Sequence, residues 1–195
     1  MTRRFTILMI SLLLTLSFGT GQAFAEDLHI WGKKVDQLFQ AEGESDEQFQ
    51  VRTFQRMRRF TRDSGYEASG YFCRSEEGQM GITIFTWEAH FSAPTMKGCP
   101  LALGGWPTVL DFVHTHPLPG RYTFSEQDVT SENRKRVFFK KSTKSAQWVG
   151  RHSISQFSSD DYDVGPGWLV ADDLVLYQRG RGTTKVVMRL PALVD

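Results

Sequence analysis

The feature that most limits what this chain can fold into is a change of hydrophobic period on either side of Ser64-Gly65. Before it, Phe49, Phe54, Met57 and Phe60 recur near helical spacing, with Arg52, Arg56, Arg58, Arg59 and Arg62 mostly between them. Apolar side chains three to four residues apart share one helix face, so this stretch is an amphipathic helix ending before Ser64-Gly65. Ser45 and Asp46 are its N-cap candidates, after the break at Glu42-Gly43-Glu44. After it the period falls to two. Ala68 to Arg74 and Gly81 to Trp87 are β-rich runs around Ser75-Glu76-Glu77-Gly78, a hairpin signal. Thr108 to His114 is a strand of mostly buried character. Trp168 to Ala171, Leu174 to Tyr177 and Lys185 to Met188 form successive antiparallel strands, with turns at Asp172-Asp173 and Gly180-Arg181-Gly182. Residues 27–41 mix polar and apolar positions weakly and are expected as a short helix or an arm. Residues 117–124 are expected as a loop, and Ser125 as the start of a polar helix running towards Lys135. The fold class is therefore α/β in the α+β sense, one helix packed on a sheet with strands following.

The 195 residues are 40% apolar, with 23 Lys+Arg against 22 Asp+Glu, which suits one domain able to bury a core. So even a balance gives no electrostatic reason to expect nucleic acid as a partner. The first 25 residues read as an address. Arg3-Arg4 is a basic start, Phe5 to Phe18 an apolar run, and Ala23-Phe24-Ala25 fits the small-x-small rule of signal peptidase. The run is short of the ~20 residues that span a bilayer, so the expectation is a cleavable signal peptide at 1–25. A single domain of 26–195 would then stand in the periplasm or be secreted, with no membrane span. In such an oxidising compartment Cys73 and Cys99 are expected to form a structural disulfide. No CxxC pair is present for a structural zinc site, so any metal must be held by His and carboxylates.

The chemistry concentrates at His114-Thr115-His116-Pro117. Residues i and i+2 of a strand project to one side, so both imidazoles can grip one metal ion. Asp128 lies twelve residues beyond His116, in the first turn of the helix expected from Ser125. Two His and one carboxylate leave a fourth tetrahedral position open, the pattern of a catalytic zinc site. Glu67, at the opening of the first sheet strand, is the carboxylate best placed to take the proton of a bound water. Ser125-x-x-Asp128 is also a helix capping box, a reading that the spacing from His116 outweighs.

His114-Thr115-His116-Pro117, seven residues, then Ser125-Glu126-Gln127-Asp128 resembles the His-x-His-Pro-x7-Ser-x2-Asp motif of the JAMM (MPN+, JAB) metalloprotease family. Glu67 with Gly70 three residues on is similar to that family's upstream Glu. The likeness covers roughly Asp46 to Asp128. It implies a JAB/MPN-like, cytidine-deaminase-like core with a central mixed β-sheet flanked by helices. It further implies Zn2+ on His114, His116 and Asp128, Glu67 as general acid/base, and the Ser125 hydroxyl stabilising the oxyanion. The implied activity is hydrolysis of a peptide or isopeptide bond in a peptide, protein or peptidoglycan-peptide substrate.

Two other functions fit the same residues. One is a catalytically silent JAMM-fold module acting as a binding, secretion-accessory or inhibitor protein; the other is a small-molecule amidase. His29, His90 and His152 have no motif around them and read as surface or loop residues. The Arg134 to Lys144 run reads as a solvated helix end. The Gly- and Pro-rich insertion from Phe91 to Trp106, tethered at Cys99, is expected to border the site.

Overall fold

The computed structural model describes residues 32–95, 98–124, 128, 146–150 and 155–193, with backbone alone at 146–149. The segment 1–25, the basic run 134–144, Ser125, His29 and His152 lie outside the described residues.

The helix read from the sequence is α1, Asp46–Ser64. Ser45 caps it through a reciprocal box: its side chain accepts from the Gln48 N–H, and the Gln48 side chain accepts from the Ser45 N–H. Two orphan amides of the first turn are satisfied this way. Gly65 ends the helix in the left-handed region (φ 78°), donating its N–H to the Thr61 carbonyl. A β-carbon there would be strained and would also press on the rings of Tyr122 and His90.

A seven-stranded sheet follows, in the order β1-β3-β2-β4-β7-β8-β9. Its strands are β1 Lys33–Phe39, β2 Ser69–Arg74, β3 Met80–Thr86, β4 Thr108–Thr115, β7 Gly167–Ala171, β8 Leu174–Gln178 and β9 Lys185–Arg189. All neighbours run antiparallel except β4 and β7, which are parallel. The long connection between those two carries a separate two-stranded sheet, β5 Gly120–Thr123 with β6 Ala146–Val149, and the six-residue helix α2, Ser159–Val164. This is a mixed α+β architecture, as expected at that level.

Two local expectations are corrected. Residues 33–39 form an edge strand rather than a helix or arm, and 120–123 within the expected loop form β5. Against this, the hairpin through 75–79, β4 and the β7–β8–β9 meander fall where the period placed them.

The main core lies between α1 and one sheet face. Phe49, Phe54 and Met57 of α1 are buried against Ala68, Phe72, Ile82, Ile84, Val113, Val170 and Val175. Each such large side chain contributes roughly 1.5–3 kcal/mol of burial free energy. Gly70 admits the close approach of β3, since a β-carbon there would lie 2.5 Å from the Thr83 carbonyl oxygen. The opposite face carries a smaller cluster of Tyr71, Cys73, Leu103 and Phe112, stapled by the Cys73–Cys99 disulfide. No helix among the described residues is long and apolar enough to cross a membrane.

Candidate metal centre

Alternation along β4 assigns its two sides. Val113 and Thr115 turn to α1, with Val113 in the main core and the Thr115 hydroxyl 2.6 Å from that of Thr61. Phe112 and His114 share the other side, where their rings stack with centroids 5.4 Å apart and planes at 20°. The strand end is fixed from both neighbours. Thr115 donates its N–H to the Ala68 carbonyl on the β2 side (2.9 Å), and His116 donates its N–H to the Val170 carbonyl of β7 (3.2 Å). Thr115 Oγ1 also accepts the Ala68 N–H (2.9 Å). The residue between the two histidines is thus the rivet that holds their backbone.

The two rings meet through their Nε2 atoms, 3.3 Å apart. Asp161, from α2, closes the group: its Oδ1 lies 3.3 Å from His114 Nε2, and its Oδ2 3.9 Å from His116 Nε2. One ligand atom from each of the three lies within 4.8 Å of the other two, the only such trio of His, Cys, Asp or Glu among the described residues. Zn–N and Zn–O bonds of about 2.0–2.1 Å at tetrahedral angles set donor atoms about 3.3 Å apart, and two of the three edges measured here match that spacing. Two imidazoles and one carboxylate are also a donor set suited to zinc.

Burial would push the Asp161 carboxyl up. The charge of His114 and its hydrogen bond, then the charge of His116 and the Ser158 amide, outweigh burial and hold the group well below the usual carboxylate range. The same carboxylate can meet a metal cation only with both imidazoles neutral, since ligand histidines must give up their proton. His114 is buried, and its Nδ1 has no hydrogen-bond partner among the described residues. Its ring is oriented by packing, on Phe112 and against the edge of Phe157.

The residues expected from the sequence are distributed as follows. His114 and His116 are together. Asp128 is fully buried but is not part of the trio: its Oδ1 accepts the His90 backbone N–H (2.8 Å) and its Oδ2 lies 2.6 Å from His90 Nδ1. Glu67 is buried just ahead of β2, with its N–H on the Ala89 carbonyl and its carbonyl accepting from Thr86 Oγ1. The β2–β4 register pairs Ser69 with His114, and Glu67 precedes Ser69 by two residues.

Sequence reasoning missed two residues. His90 lies in a loop, as expected, but it clamps Asp128 and packs among Tyr66, Phe91 and Tyr122. No local motif marks it, because its partner is 38 residues away. Asp161 did carry a signal: Ser158-x-x-Asp161 is a second capping box with the spacing of Ser125-x-x-Asp128.

The insertion after Phe91 lies on the histidine side of the sheet. The Ser69 hydroxyl donates to the Pro94 carbonyl and the Tyr71 hydroxyl to that of Thr95, and Ser69 is the register partner of His114. That segment therefore borders the site, as expected. Comparison of the chain with family models, with curated proteins and with solved structures gives no match.

Proposed function

We propose that the chain is an exported, zinc-dependent peptidase or isopeptidase of the JAMM type, acting on an extended amide substrate such as a peptide, a protein tail or a peptidoglycan peptide. The observation that carries this reading is the His114, His116, Asp161 trio at metal-ligand spacing. The motif likeness around His114 and Glu67 supports it, and the Cys73–Cys99 disulfide accords with an oxidising compartment.

His114 and His116 would hold the metal through Nε2 and Asp161 through its carboxylate. Zinc so held supplies a Lewis acid that lowers the pKa of a bound water from 15.7 to about 7 and polarises an amide carbonyl. Three protein ligands are the number used by catalytic rather than closed structural sites. Glu67 is the carboxylate to accept a proton from the attacking water and hand it to the leaving amine. Ser125 keeps the oxyanion role that the resemblance implies. The disulfide-tethered insertion forms one wall for the substrate.

The test is zinc content. The chain should carry about one zinc, lost in His114→Ala and Asp161→Ala and kept in Asp128→Ala. Glu67→Gln should keep its zinc and lose about 10²- to 10⁴-fold in amide turnover. No zinc after reconstitution overturns the reading. Zinc that survives Asp161→Ala but not Asp128→Ala overturns the trio and restores the ligand set of the family motif.

A further inference from the structure

Asp161 can serve as a ligand only if α2 is held in place. Among the described residues, the apolar packing of α2 is confined to Val164, partly buried against the Tyr71, Cys73, Leu103 and Phe112 cluster, and to Tyr162 beside the Phe157 ring. Six residues fall well below the ~12–15 at which isolated helices become even marginal in water, and none of its residues is buried. The capping box with Ser158 shapes the first turn but does not attach the helix to the sheet. On the outer side, half-buried Tyr162 meets exposed Thr184 through their hydroxyls (2.9 Å), and exposed Arg181 reaches Asp163 (3.8 Å) and the Tyr162 ring.

The fully buried polar attachment is Gln178. This residue ends β8, is 1% exposed, and stands across from Gly167 in the β7–β8 register. Its Nε2 donates to the Gly165 carbonyl (2.5 Å) and reaches the Asp161 carbonyl (3.5 Å), joining the C-cap of α2 and the ligand residue's own backbone to the sheet. Its side-chain oxygen is buried with no partner among the described residues. An unpaired buried amide oxygen carries a desolvation penalty. The residues on the same side of β8, Leu174 and Leu176, are apolar. Packing alone would favour a third apolar residue at 178.

We infer that Gln178 is the positioning residue for the metal ligand Asp161, acting through the backbone of α2. This rests on reading His114, His116 and Asp161 as a metal site. Groups that orient a metal ligand from outside the coordination sphere typically change affinity by 10- to 100-fold when removed.

The experiment measures zinc affinity of the full chain by competition with a chromogenic chelator, well below the melting temperature. Gln178→Met keeps the length of the side chain and removes the donor. It should weaken zinc by about 10- to 100-fold, and have no further effect on the weaker residual affinity that His114 and His116 retain for added zinc in an Asp161→Ala background. Val175→Ala, which opens the core on the α1 side, should lower the melting temperature without changing zinc affinity. Should Gln178→Met not fold, Gln178→Asn keeps the amide but withdraws it by one methylene, and carries the same expectation. Unchanged affinity in the Gln178 variant overturns the positioning role and leaves the metal reading standing. Equal weakening with and without Asp161, or in Val175→Ala, shows an effect on the fold and also overturns it. Absence of His114-dependent zinc in the parent chain overturns both.

Discussion

Two buried threonines on either side of the α1 interface give opposite expectations for the same substitution. Thr115 Oγ1 accepts the Ala68 N–H and meets the Thr61 hydroxyl, and Ala68 is itself fully buried. Thr115→Val preserves shape but strands that amide, at about 1–3 kcal/mol, and removes the Thr61 bond, worth about 0.5–1.5 kcal/mol net. The added methyl returns at most about 0.8 kcal/mol. The expected loss is about 2–3 kcal/mol, or roughly 4–12 °C in Tm for a chain of this size. Thr53 is just as buried, but its hydroxyl has no partner among the described residues. Thr53→Val should therefore be neutral, or stabilising by up to about 1 kcal/mol. Urea unfolding in the presence of a chelator reads both variants without any metal contribution, and the m-value should not change. Equal shifts in the two variants, or a Thr115→Val within about 0.5 kcal/mol of the parent, would refute the hydrogen-bond accounting and the claim that Thr115 rivets the histidine strand.

Two further expectations concern the scaffold. Replacing both Cys73 and Cys99 by Ser should cost about 3–4 kcal/mol on the loop-entropy estimate for their 26-residue separation; a reductant should then lower the Tm of the parent and leave that of the variant unchanged. The Arg52 guanidinium hydrogen-bonds both Glu44 carboxylate oxygens and, against the upward push of burial, holds Glu44 down at about 2. A depressed folded-state value gives stability that is present above the ordinary value of 4.5 and is lost as pH falls towards 2. Glu44→Gln should thus be destabilising at pH 7, by under about 1 kcal/mol at so solvated a pair, with the difference vanishing near pH 2 in acid-unfolding curves.

The parts of the fold legible in the sequence are those whose burial is one-sided and regular. Helix α1 has a clean apolar stripe and both caps in its own residues. Strands β2, β4 and β7 to β9 have their turns written at each end. Strand β1 was not legible, and its geometry shows why. It is an edge strand, exposed at Lys33 and Lys34 and only half-buried after them, and its register slips between Lys34 and Asp36. A bulge inserts one residue and so breaks the period of two on which recognition depends. Strand β5 is four residues long and begins just after Pro117 and Pro119, where turn chemistry masks it. The histidine pair needed only the spacing of two along a strand. Its carboxylate partner has only the Ser158-x-x-Asp161 spacing as a local signal. Nothing local ties it to the histidines, because the parallel pairing of β4 with β7 forces a crossover that returns α2 to the His114 side with Asp161 47 residues after His114.

Local sequence alone makes Asp128 and Asp161 equivalent, since each ends a Ser-x-x-Asp spacing. Hydrogen-bond accounting separates them. Asp161 engages the Ser158 amide with one oxygen and turns the other to His114, so a cation can be met without breaking the cap. Asp128 engages His90 with both oxygens, one on the backbone N–H and one on the ring. Moving it onto a metal would strip a part-buried amide and a ring N–H of their acceptor, at about 1–3 kcal/mol for each such group. It would also loosen His90 from the aromatic cluster of Tyr66, Phe91 and Tyr122. A penalty of that size shifts the choice between two otherwise equal carboxylates by at least about fivefold, and it favours Asp161. The zinc contents of Asp128→Ala and Asp161→Ala therefore test one consequence of hydrogen bonds made 38 residues apart in the chain.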